Sequence, residues 1–295
     1  MAEPVFRRVA LIGAGLIGGS IARRNRATHA LAQEVVVTAR SPATRERVRE
    51  LGFADRVTDT AAEAVEGADA VILCAPVGAN AAIMAEIAPH LAPGAILSDV
   101  GSTKGSVIRD LGPLLPQGVH LIPAHPMAGT EFSGPDSGFP ELFDGRYCII
   151  TPLPDTDPAA LARLRAFWEA CGSSVECMDP VTHDKVVAIV SHLPHLIAFT
   201  ICGTADDLSE ETRESVLKFA ASGFRDFTRI AASDVAMWRD VFLNNREAVL
   251  EMLARFTEDA HAFGRAIRWG EQDFIEDRIR RGRKIRQGLI ERRQA

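Results

Sequence analysis

An α/β fold, with a mostly parallel sheet in the N-terminal part and an all-helical C-terminal part, is predicted by three observations. Short β-branched runs alternate with helical segments from residue 8 to about 178. Strand signals stop after Pro180. A glycine-rich turn, Gly13-Ala-Gly15-Leu16-Ile17-Gly18, follows directly on the first apolar run.

The elements follow in order. Candidate strands lie at 9–12, 35–38, 70–74, 95–99, 120–123, 147–151 and 174–177. Helical stretches such as 44–51, 79–88 and 158–170 separate them, several closed by Gly or Pro. Beyond residue 180 the segments 181–204, 211–220, 234–263 and 271–293 read as helices. The third carries Val241, Ala248, Val249, Met252, Leu253 and Phe256 at helical spacing. A boundary near residue 178 is therefore expected, giving domains 1–178 and 179–295.

At 295 residues, 47% apolar and 24% charged, the chain has ample material for a buried core. A net charge of −6 argues against general attraction to nucleic acid or anionic membranes. The last helix is rich in arginine between Arg278 and Arg293, but Glu276, Asp277 and Glu291 dilute it, so it reads as a solvated face. Cys74, Cys148, Cys171, Cys177 and Cys202 form no CxxC pair, so neither a disulfide framework nor a zinc site is expected. A reducing cytoplasm fits that pattern. Glycines interrupt the N-terminal apolar run, and no other stretch reaches about 18 uninterrupted apolar residues, so neither a leader nor a membrane span is expected.

The glycine-rich turn sits after a strand and before a helix, the context that makes a GxGxxG spacing specific for a Rossmann-type dinucleotide site. Gly13 permits the tight turn, Gly15 lets backbone approach a pyrophosphate, and Gly18 lets strand and helix pack closely. Leu16 and Ile17 complete the loop. At the end of the second strand stands Ala39-Arg40-Ser41, where an NAD site is expected to place a carboxylate. Arg40 and Ser41 suit a 2′-phosphate, so NADP is favoured over NAD. Ala75, Pro76 and Gly101, near the ends of later strands, are assigned to the cofactor as well.

Several further segments carry polar residues that a scaffold has little use for. Asp99-Val-Gly101-Ser102-Thr103-Lys104 lies at the C-terminal end of a predicted strand, the ligand-binding edge of an open α/β sheet. His125-Pro-Met-Ala-Gly-Thr130-Glu131 follows a strand into a Gly- and Pro-rich loop. A lone histidine is more often structural, but one placed there can accept a hydroxyl proton in its neutral form. His183-Asp184 precedes Ser191-His192-Leu-Pro194-His195, and on one regular helix Asp184, Ser191 and His195 share a face, with a bend expected at Pro194. Arg225 and Arg229 are four residues apart, suited to a carboxylate or, equally, to salt bridges with Asp226 and Asp240.

Taken together, GAGLIGGS, DVGSTK, HPMAGTE, HD with SHLPH, FRDFTRIA and MWRD resemble, in this order over roughly residues 8 to 245, the prephenate/arogenate dehydrogenase family. The resemblance implies an NAD(P)-dependent oxidative decarboxylation of prephenate or arogenate on the route to tyrosine, with no metal required. It implies that His125 draws off the ring hydroxyl's proton and that Ser102 supports that hydroxyl and the nicotinamide. His195 with Ser191 would contact substrate, Arg229 would hold a carboxylate, Thr130 and Glu131 would line the pocket, and Asp184 and Trp238 would help control entry. A homodimer through the helical domain and a monofunctional enzyme are expected. The rival readings are a β-hydroxyacid or imine dehydrogenase, which would rely on a lysine or aspartate of the helical domain, and a dinucleotide sensor without turnover.

Overall fold

Side chains alternate across each strand of the main sheet, and the alternation builds an apolar layer on both faces. The computed structural model describes residues 3–130 and 132–292. Val9, Leu11, Val35, Val37 and Ile72 face one layer, while Ala10, Val36, Val71, Leu73 and Leu97 face the other. Both sides of these strands are therefore buried, as their unbroken apolar runs require.

The chain starts with β1 (Phe6–Ile12), α1 (Leu16–Thr28), β2 (Ala32–Thr38), α2 (Pro42–Leu51), β3 (Arg56–Val57) and α3 (Ala61–Val65). It continues through β4 (Ala70–Leu73), α4 (Asn80–Ile87), β5 (Ile96–Asp99), α5 (Lys104–Leu111) and β6 (His120–Leu121). Ile21 of α1 and Val48 of α2 fill the first layer, and Val65 of α3, Met84 of α4 and Val107 of α5 fill the second. The six strands pair in parallel in the order β3-β2-β1-β4-β5-β6. The order reverses between β1 and β4, which opens a ligand crevice at the strands' C-terminal ends.

A second sheet differs from the expected series of parallel strands. β7 (Ala124–Pro126), β8 (Tyr147–Ile150) and β9 (Ser174–Cys177) form a separate three-stranded sheet in which β7 and β8 run antiparallel, with α6 (Pro158–Ala170) between β8 and β9. The predicted strand 120–123 is thus only its first half in the main sheet. The chain then crosses over, and His125 sits on β7 opposite Ile149 instead of in a loop.

The helices that follow are α7 (Pro180–Val187), α8 (Leu193–Asp206), α9 (Glu210–Phe219), α10 (Ser222–Thr228), α11 (Val235–Asn244), α12 (Arg246–Trp269) and α13 (Gln272–Glu291). Two depart from expectation. A π turn over Ala188–His192 separates α7 from α8, just ahead of Pro194, which has no amide to give the preceding turn. The predicted helix 234–263 is broken at Asn245, whose side chain turns inward to donate to the Asp184 carbonyl at 2.9 Å and to His192 Nδ1 at 3.0 Å.

By packing, the chain falls into two units, Met1–Arg246 and Glu247–Ala295. Residue 178 marks a change from strands to helices, and the helices up to Arg246 stay with the sheets because bonds such as that of Asn245 tie them in. The run Pro180–Asp206, at 27 residues and mean hydropathy 1.8, is by length and composition long and apolar enough to cross a membrane, which counting uninterrupted apolar residues did not anticipate. Its buried His183 and His192 are both bonded to polar side chains of the folded protein, which accounts for it as a site helix.

Candidate active site

The glycine-rich turn is built as its spacing demands. Gly13 adopts φ +121°, and a Cβ there would lie 2.7 Å from the Cys74 carbonyl carbon. A Cβ on Gly18 would lie 2.1 Å from the Gly13 oxygen, so strand and helix meet here only without side chains. Gly15 caps α1 with open space around it, and Leu16 and Ile17 begin the helix whose amides face that space. Room and donors for a pyrophosphate are both present.

Arg40 and Ser41 follow β2, both exposed. The Ser41 hydroxyl accepts from the Thr44 amide at 3.3 Å and so caps α2, leaving its own hydrogen to donate. Arg45, which sequence reasoning passed over, braces this corner by donating to the carbonyls of Ala39 at 2.7 Å and Arg40 at 3.1 Å. Ala75 and Pro76 follow β4. Gly101 follows β5, where a Cβ would lie 2.4 Å from Val77 Cγ1.

His125 is 9% exposed, and its Nδ1 lies 2.9 Å from Nε2 of His183. His183 Nδ1 in turn lies 2.8 Å from Asp184 Oδ1. The tautomers follow from Asp184, whose carboxylate accepts the Lys104 and Gly105 amides at 2.8 Å each. As an acceptor it requires Nδ1–H on His183, so His183 Nε2 accepts from Nδ1–H of His125. That leaves Nε2 of His125 as the ring's acceptor. Burial, then His183, Lys104 and His192, hold the His125 pKa well below the ordinary imidazole value. Burial works against the Asp184 charge, but hydrogen bonds from His183 and the two amides prevail and keep it ionised.

The Asp184 carboxylate orients His183 and caps α5. The π turn separates it from His195, so the face expected on one regular helix is divided. His195 donates from Nδ1 to the Ser191 carbonyl at 2.8 Å and stacks on Trp238 at 3.7 Å between ring centres. Phe199 and Phe242 border the same tryptophan. Trp238 is itself buried, and its Nε1 has no hydrogen-bond partner among the described residues. Burial lowers the His195 pKa, and the charge of Arg229, in the turn Arg229–Ala232, lowers it further, which places Arg229 within electrostatic reach. Ser102 is partly exposed between β5 and α5, and Thr130 is exposed with its hydroxyl accepting from the Phe132 amide at 3.3 Å. Glu131 lies outside the described residues. His183 and Asn245 are the members that sequence reasoning did not assign; the adjacency of His183 to Asp184 was the available signal.

An imidazole kept neutral with an open acceptor nitrogen, in a chain that also builds a dinucleotide cradle, is the equipment of a dehydrogenase that takes hydride from a carbinol carbon. The chain belongs to the prephenate dehydrogenase family. Its residues 21–177 match the model of the prephenate dehydrogenase nucleotide-binding domain, and residues 179–281 match that of the prephenate dehydrogenase dimerization domain. It is 39% identical to cyclohexadienyl dehydrogenase of Zymomonas mobilis over 97% of both chains. It is 33% identical to prephenate dehydrogenase of Bacillus subtilis over 92% of this chain and 72% of that one. The crystal structure of Aquifex aeolicus prephenate dehydrogenase with hydroxyphenyl propionate and NAD+ superimposes with a TM-score of 0.88 at 31% identity, covering 96% of this chain and 98% of that one. The protein is accordingly an NAD(P)-dependent oxidoreductase that performs oxidative decarboxylation.

Proposed function

We propose that this chain oxidises prephenate, arogenate or both, with His125 as proton acceptor and NADP as preferred cofactor. The observation that carries the reading is the hydrogen-bonded series Asp184, His183, His125, which ends on an acceptor nitrogen in a buried, neutral ring. A bound nicotinamide supplies the hydride acceptor.

His125 Nε2 takes the ring hydroxyl's proton as that carbon becomes carbonyl-like. The ring carboxylate leaves as CO₂, and the electron pair of its bond completes the aromatic ring. Ser102 supports the hydroxyl. Arg229 pairs with a substrate carboxylate, the His195–Trp238 stack lines the pocket, and Ser191, Thr130 and Glu131 are assigned to substrate as well. No residue need hold the departing carboxylate tightly, since over-stabilising it would slow its loss.

Arg40 supports the NADP preference, because it is exposed directly after β2 and a guanidinium suits a 2′-phosphate. Nucleotide binding and dimerisation divide near residue 178, in keeping with the two family segments. A homodimer would cover exposed apolar residues such as Leu217, Phe219 and Val235. Five free cysteines suit a reducing cytoplasm.

The test is absorbance at 340 nm with prephenate and arogenate, each with NAD and with NADP. Reduced cofactor in one or more mixtures, with kcat/KM highest for NADP, is the expected result. Silence in all four from protein that binds a dinucleotide would overturn the reading.

A further inference from the structure

Asp99 ends β5 and Lys104 begins α5, and their side chains form an ion pair that is 1% and 0% exposed. Lys104 Nζ lies 2.8 Å from Oδ1 and 2.6 Å from Oδ2 of Asp99, and 2.6 Å from the Ala124 carbonyl oxygen. The three hydrogens of an ammonium thus meet three acceptors. Asp99 Oδ1 also accepts from the Ala124 amide at 3.3 Å, and Oδ2 from the Gly101 amide at 2.8 Å.

The two backbone residues so gripped are the ones that precede His125 and Ser102. Ala124 belongs to β7 in the small sheet, and Asp99 to β5 in the main sheet. The pair therefore links two sheets at the point where the reacting groups are set. The backbone amide of Lys104 also reaches Asp184, which orients His183.

Stability alone is weak ground for such a pair. Burial pushes the Asp99 carboxyl up and the Lys104 ammonium down, against their mutual attraction. Apolar side chains of similar volume are often as stabilising as a buried ion pair, or more so. What they lack is the means to accept the Gly101 and Ala124 amides while donating to the Ala124 carbonyl.

We propose that Asp99 and Lys104 are positioning residues for the reaction, holding His125 and Ser102 at a fixed separation through the backbone that precedes each. The inference rests on the reading of His125 as proton acceptor. Misplacement by about 1 Å costs catalysis on the order of 100-fold.

Two double variants test it. Asp99→Asn with Lys104→Gln removes both charges but keeps donors and acceptors, with a side chain too short to reach all three of its partners. Asp99→Leu with Lys104→Met removes the polar grip altogether. Each is measured for Tm, dinucleotide Kd by fluorescence, and kcat and KM. Positioning predicts kcat lower by about 10-fold in the first and about 100-fold in the second. Dinucleotide Kd and substrate KM should stay within about 3-fold, because the lost grip acts on the transition state. Wild-type kcat in either folded variant would overturn the proposal. So would failure of both to fold, which would make the pair a folding element. His125→Asn, assayed alongside, separates the two claims: if it too keeps full kcat, the reading of His125 has failed, and not the positioning alone.

Discussion

Nδ1 of His125 lies 2.9 Å from Nε2 of His183, with the rings crossing at 69°. His183 is fully buried, and on the proposed reading this contact sets the tautomer of the ring that takes the proton. Replacing His183 by Ala removes that control and takes one donor from Asp184, leaving it the Lys104 and Gly105 amides. kcat should fall by about 10- to 1,000-fold with dinucleotide Kd unchanged, and stability by about 1–3 kcal/mol. Steady-state kinetics with a fluorescence titration checks both, and wild-type kcat would show that tautomer control is dispensable.

Acid sensitivity follows from the same burial. His125, His183 and His192 all have pKa values lowered chiefly by desolvation, His192 to about 4. A group whose folded pKa lies below its unfolded value stabilises the fold fully above the unfolded value. That stability is lost as pH falls through the folded one. Tm should therefore hold near neutrality and decline from about pH 6.5 toward about pH 4, with His192 alone contributing on the order of 3 kcal/mol. Calorimetry across that range checks it, and a flat profile would mean that these histidines titrate alike in the folded and the unfolded protein.

Arg40 should distinguish the cofactors. Arg40→Ala removes a charged hydrogen bond worth about 1.5–3 kcal/mol. Kd for NADP should therefore weaken by roughly 10- to 100-fold, with little change for NAD. Equal losses for both, in parallel titrations, would separate Arg40 from the 2′-phosphate.

Gly18→Ala would place a methyl 2.1 Å from the Gly13 oxygen. Strand and helix must part to admit it, at a cost of about 1–3 kcal/mol. Dinucleotide binding should weaken at the same time, since the cradle opens. Denaturant titration and ligand binding measure the two effects, and unchanged values would mean that the turn relaxes freely.

Local chemistry was the legible part of the sequence. Gly13, Gly15 and Gly18 share one turn whose spacing is recognisable by itself, although Gly13 also makes room for the distant Cys74 carbonyl. The strand cores were equally plain, because burial on both faces leaves unbroken apolar runs. What escaped depends on partners far along the chain. His125 read as a loop residue because β7 is three residues long and pairs with β8 more than twenty residues later. Its partner His183 lies 58 positions away, and Asn245 breaks an otherwise convincing helical pattern to satisfy two buried groups 61 and 53 positions back. A regular helix would have aligned Asp184 with His195, whereas its carboxylate bonds His183 and the first amides of α5. The π turn between them carries no sequence signal beyond the following proline.

The most direct measurement is the turnover of His125→Asn with saturating substrate and the preferred cofactor. Asn keeps a polar group of similar reach but cannot take the proton. kcat should fall by about 100- to 10,000-fold with dinucleotide Kd unchanged. A kcat within about 3-fold of wild type, in a variant that binds the dinucleotide normally, would contradict the assignment of His125 as proton acceptor.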